Sequence, residues 1–126
     1  MSKVRFLIGD IALEAELRDT PTARELLKVL PLESTGSYWG KEFYFDTPVI
    51  VPLEPDATDV VESGAVAYWA AGHCLCLLWG PTPASRGDEC RLASEANVVG
   101  KVLNAEDLPK LKARGVRVEA VESPRR

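Results

Sequence analysis

Val4-Arg5-Phe6-Leu7-Ile8-Gly9-Asp10-Ile11-Ala12-Leu13-Glu14-Ala15-Glu16-Leu17 is the stretch from which the rest of the chain can be read. Val4, Phe6 and Ile8 share one side of a two-residue period; Ile11, Leu13, Ala15 and Leu17 share one side of another, with Glu14 and Glu16 opposite. A period of two belongs to a strand, whose successive side chains point to opposite faces. Gly9-Asp10 lies between the two runs, and a glycine at the first loop position suits the turn types that match the twist of paired strands. These residues therefore predict a β-hairpin with one apolar face.

The pattern changes after the hairpin. Glu25 follows Thr22 by three residues, the spacing at which a hydroxyl and a carboxylate each satisfy an orphan amide at a helix start. Ala23, Leu26, Leu27 and Leu30 then form one helical stripe, which Pro31 ends. From Leu32 to Pro52 extended pieces broken at Gly36 and Gly40 are expected, with Glu42 to Asp46 alternating and Pro48 marking an edge or a strand start. Pro52 to Gly64 is rich in proline and acid and is expected to be an exposed connection. Ala65 to Ala71 and Cys74 to Trp79 are almost continuously apolar, as strands buried on both faces are.

Thr82 to Ala96 shows little periodicity and is expected to be a long irregular segment, of the kind that often carries function. Asn97 to Leu103 is another strand. A second helix follows, capped by Asn104 or, given Pro109, by Asp107, and ended by Gly115. Val116, Val118 and Ala120 form a closing strand. The expected architecture is mostly β: a closed antiparallel β-barrel of about eight strands with two short capping helices, in one domain over 1–122, with 123–126 a frayed tail.

Bulk properties narrow the function. A chain of 126 residues, 46% hydrophobic and 27% charged, can build one core. Its net charge of −4 argues against nucleic acid as a partner. The longest apolar stretches fall far short of the roughly 20 residues of a membrane-spanning helix, and no signal-like leader precedes Val4, so no membrane partner and a cytoplasmic address are expected. The three cysteines are expected to be reduced, because Cys74 and Cys76 are too close and too parallel along a strand to bridge comfortably.

The motifs Tyr38-Trp39-Gly40, Glu42 to Val49, Ala67 to Gly72, Leu75 to Pro83 and Asn97 to Val102 resemble, over nearly the whole chain, a compact cyclophilin-like family of small bacterial and archaeal proteins without established function. That family is in turn similar to the prolyl isomerases. The resemblance places the isomerases' catalytic arginine at Phe45 and a pocket-floor phenylalanine near Cys76. A cation beside the proline nitrogen favours the twisted amide, and phenylalanine cannot supply one. The resemblance thus implies a non-catalytic domain that binds a small molecule or a short, proline-containing peptide, with an atypical prolyl isomerase as the alternative.

The expected pocket comprises Trp39, Tyr44, Phe45, Tyr68, Cys76, Thr82, Ser85, Arg86 and Asn97. Tyrosine and tryptophan offer flat apolar faces with one polar tip, although the same side chains also fill cores. Arg86 would give charge-assisted bonds, with Thr82 and Ser85 either holding ligand or bonding their own loop. No catalytic residue is assigned. His73, Cys74, Cys76 and Cys90 have metal-ligating chemistry, but on a strand His73 points away from both neighbouring cysteines, so neither a metal, a cofactor nor a nucleophilic thiol is expected. Glu33, Glu42 and Asp46 are expected on solvated strand faces. Homo-oligomerisation is left open.

Overall fold

The computed structural model describes residues 2–121, and the expected tail at 123–126 lies outside the described residues. β1 (Ser2–Ile8) and β2 (Ile11–Leu17) form the expected hairpin in the register Ile8↔Ile11 to Ser2↔Leu17, with Gly9 supplying a φ of +61° at the turn. Its apolar face, from Val4 to Leu17, is buried in the main core.

The first helix, α1 (Pro21–Lys28), begins two residues earlier than the Thr22–Glu25 spacing predicts. Thr20 is the cap: its Oγ1 accepts the Ala23 amide at 3.1 Å, and Pro21 takes the first helical position, where a missing N–H costs nothing. Thr22 is buried and bonded to Glu54, while Glu25 pairs with Lys28.

β3 (Leu32–Tyr38) runs through Gly36 without a break, because the Phe43 ring of the neighbouring strand occupies the space a Cβ would take. β4 (Glu42–Asp46) follows. The acidic connection contains a short strand that the composition hid, β5 (Thr58–Val61). β6 (Ala65–Trp69) and β7 (Cys74–Leu78) are buried on both faces as expected, apart from the half-buried Trp69.

The expected irregular stretch 82–96 is shorter than predicted, because β8 begins at Cys90 and runs to Val102. Cys90, Leu92 and Ala96 pack over the outer face of β6 and β7, and this cover turns a polar-looking segment into a strand. The second helix is a 3-10 turn over Ala105–Lys110. Gly115 does not end it but opens β9 (Gly115–Val121). Asn104 makes no cap bond; its side chain accepts the Glu14 amide at 2.9 Å and donates to Ala12 and Asp107.

The strands follow the order β2-β1-β9-β3-β4-β7-β6-β8, and β8 returns to β2 through Leu17↔Gly100, Glu16↔Lys101 and Ala15↔Val102. Every pairing is antiparallel, so these eight strands close a ring, with β5 attached to the free part of the β8 edge. The ring closes where Gly100 sits, and a Cβ there would lie 2.2 Å from the Glu16 carbonyl oxygen. Phe6, Phe43 and Phe45 fill the interior, the Phe45 ring centroid lying 6.3 Å from that of Phe6 and 5.9 Å from that of Phe43. Ala67, Cys74, Cys76, Leu78, Cys90, Leu92 and Ala96 form a second, smaller core outside the ring wall. No helix among the described residues is long and apolar enough to cross a membrane.

Candidate functional site

The strand period of β4 sorts its residues between two environments. Phe43 and Phe45 enter the ring, so Glu42, Tyr44 and Asp46 face outward, opposite Leu78, Cys76 and Cys74 of β7. On this outer wall Trp39, Glu42, Tyr44, Trp69, Leu92 and Ala93 line a small cleft of about 140 Å³.

Each lining residue is held by a local device. Trp39 sits in the β3–β4 turn, its amide bonded to the Glu42 carbonyl at 2.9 Å. That turn is tight because Gly40 adopts a φ of +62° against Pro81 and Thr82, and Lys41 bonds Pro81 alongside. Trp69 donates from Nε1 to Ser94 Oγ at 2.6 Å, and its ring lies where a side chain at position 72 would be, so Gly72 makes room for it. Leu92 and Ala93 come from the part of β8 that folds over the wall.

Glu42 is the unusual member. The expected solvated carboxylate is only 5% exposed, and its Oε1 is buried with no hydrogen-bond partner. Burial pushes its pKa up to about 7, with the neighbouring Cys76 thiol drawing it partly back. The thiols behind it are held protonated. Burial, then the Asp46 carboxylate 3.3 Å away, raises Cys74 to about 12, and burial raises Cys76 well above the ordinary thiol value. The cleft thus joins aromatic walls to one carboxyl group that can exchange a proton or anchor a donor near neutral pH, beside sulfurs that are not nucleophilic there.

Among the expected site residues, Trp39 and Tyr44 meet in this cleft, and Cys76 lies fully buried across from Tyr44. Phe45 and Tyr68 do not reach it. Both side chains belong to the ring interior, where the Tyr68 hydroxyl donates to the Val49 carbonyl at 2.6 Å. Thr82 and Ser85 bond each other and the loop backbone at Glu89 and Arg91, and Arg86 is exposed. Asn97 is fully buried and structural, bonding Thr22, Pro52 and Glu54. His73 is a turn residue with a φ of +56° rather than a strand residue.

Glu42, Trp69, Leu92 and Ala93 are the lining residues that the sequence left out of the expected pocket. The alternation of Glu42 with Phe43 was a usable signal for the first. A larger groove of about 460 Å³ runs between β5 and the β8–β2 seam, but its buried lining residues, Ala65, Gly100 and Val102, offer no polar side chain. Among the described residues no three His, Cys, Asp or Glu side chains converge as a metal site.

A family model described as Cyclophilin-like matches residues 2–120. The solution structure of a hypothetical protein from Archaeoglobus fulgidus is similar at 38% identity and a TM-score of 0.80, over 95% of this chain and 95% of that one. McbB, solved in complex with tryptophan, is similar in fold at 18% identity and a TM-score of 0.70; the match covers 98% of this chain but 46% of McbB. No curated protein matches the chain.

Proposed function

The chain belongs to the cyclophilin-like family, and on that premise we propose that it is a non-catalytic binding domain that takes a small molecule, or one side chain of a short peptide, into the cleft between Trp39, Tyr44 and Trp69. The observation that carries this reading is Glu42 Oε1, a buried polar atom without a partner at the base of an aromatic cleft. Such an atom costs about 1–3 kcal/mol unless something bonds it, and a ligand donor would remove that cost. McbB, of the same fold, was solved with an aromatic small molecule, which agrees with this ligand class.

A cyclophilin-type isomerase would need a cation beside the imide, and among the described residues no arginine or lysine lines the cleft. A cytoplasmic address, suited to three free cysteines, goes with the binding role. The test is a thermal-shift screen of small aromatic metabolites and proline peptides, because ligand at about 100 times its Kd adds roughly 2.7 kcal/mol to stability. Hits should lose their effect in Tyr44→Ala, and exchange of a proline peptide should not accelerate. A flat response across the panel refutes binding; acceleration that Tyr44→Ala abolishes makes the domain an isomerase.

A further inference from the structure

We infer that the ligand of this cleft carries a positively charged amine, with an ammonium group bonded to Glu42 and a compact apolar body held among Trp39, Tyr44 and Trp69. This rests on the binding role proposed above and specifies its ligand class. Three observations point the same way.

The first is geometric. Glu42 is 95% buried by its 5% exposure, lines the cleft, and leaves Oε1 without a donor. In its ionised form, which prevails above about pH 7, the carboxylate is acceptor-only, so the partner that holds that form is a donor, and an anionic ligand would meet a like charge shut away from water.

The second concerns charge compensation. No cation among the described residues pairs with Glu42. The lining residues include none, and Lys41, its neighbour in sequence, lays its chain over Gly80. The titratable groups that act with it are the weakly acidic thiols of Cys76 and Cys74 on β7, both protonated. A neutral donor would satisfy Oε1 but leave a negative charge in a desolvated site. An ammonium supplies both the hydrogen bond and the opposite charge.

The third is the wall. Trp and Tyr rings attract cations through their faces, and two tryptophans and a tyrosine line a cleft of only about 140 Å³. The volume favours a head group on a small ring or branched chain over a large cofactor. The chain's net charge of −4 also draws cations towards it.

Benzylamine, benzyl alcohol and benzoate present one ring with a cationic, a neutral and an anionic head. Titrating each into 15N-labelled protein at pH 8 should give benzylamine an affinity about tenfold or more above benzyl alcohol, with benzoate weaker than either. Glu42→Gln should bring the amine and the alcohol together while the alcohol keeps its affinity. Benzoate binding as well as benzylamine, or an amine preference that survives Glu42→Gln, overturns the inference. Should Glu42→Gln fail to fold, the order of the three probes on the wild-type protein decides alone. Equal binding of all three, abolished by Tyr44→Ala, rejects the ammonium and retains the binding role. Absence of binding by every probe at millimolar concentration rejects both.

Discussion

Asn97 Nδ2 donates to Thr22 Oγ1 over 2.9 Å, so one side chain of β8 holds the start of α1 against the ring. The same amide donates to the Pro52 carbonyl at 3.0 Å and accepts the Glu54 amide at 2.8 Å, and Glu54 in turn bonds the Thr22 amide at 3.0 Å. Asn97→Ala strands these groups where water does not reach. It is expected to lower unfolding free energy by about 3 kcal/mol in urea denaturation, while Asn97→Asp restores only the acceptor half. A loss below about 0.5 kcal/mol would show that water replaces the amide.

Glu42 gives the protein a pH dependence of definite sign. Its carboxyl titrates near 4.5 when unfolded and near 7 when folded, so between these values the native state holds the extra proton and stability falls as pH rises. The contribution is complete below about pH 4.5 and lost above about pH 7, a change of order 3 kcal/mol. Denaturation at pH 5 and pH 8 should show Glu42→Gln gaining on the wild type by that order, and equal behaviour at both values would contradict the burial.

Gly100 marks the seam between β8 and β2. A methyl group there would lie 2.2 Å from the Glu16 carbonyl oxygen and 3.0 Å from the Leu17 Cα, both backbone atoms that cannot swing aside. Gly100→Ala is expected to cost about 2–3 kcal/mol and to speed amide exchange at Arg18, whose amide bonds the Val99 carbonyl. Unchanged exchange would mean that the seam yields locally.

Cys74, Cys76 and Cys90 are all free and buried, with thiol pKa values raised above the ordinary range. Native protein at pH 8 should therefore react with a thiol reagent such as DTNB only at the rate of its opening, and quickly once guanidinium unfolds it. Fast reaction of one thiol in the native state would identify a mobile cover over the second core.

The hairpin was legible because one strand face is buried and the other is wet: Val4, Phe6 and Ile8 alternate with charged or half-buried neighbours. The ring could likewise be inferred from strand order. The two faces of β4 are also marked by the alternation of Glu42, Tyr44 and Asp46 with Phe43 and Phe45. Phe45 entered the expected pocket only because the resemblance places the isomerases' arginine at that position. Glu42 looked solvated because the cleft it lines is completed by Leu92 and Ala93, some fifty positions away in sequence. Those two residues in turn were hidden in a segment whose polar residues suggested a loop. Long-range cover leaves little trace in local pattern, and for that reason Asn97 looked like a ligand contact and is a brace.

The outer cleft has two sides of unequal stiffness. Its base is the back of Phe43, Phe45, Leu75 and Leu77, so shifting it means repacking the interior of the ring. Its cover, residues 90–94, is anchored on one edge by the four-residue strand β5. The cover can therefore be edited without repacking the ring, and on the proposed binding role such edits would change ligand preference while leaving the scaffold intact.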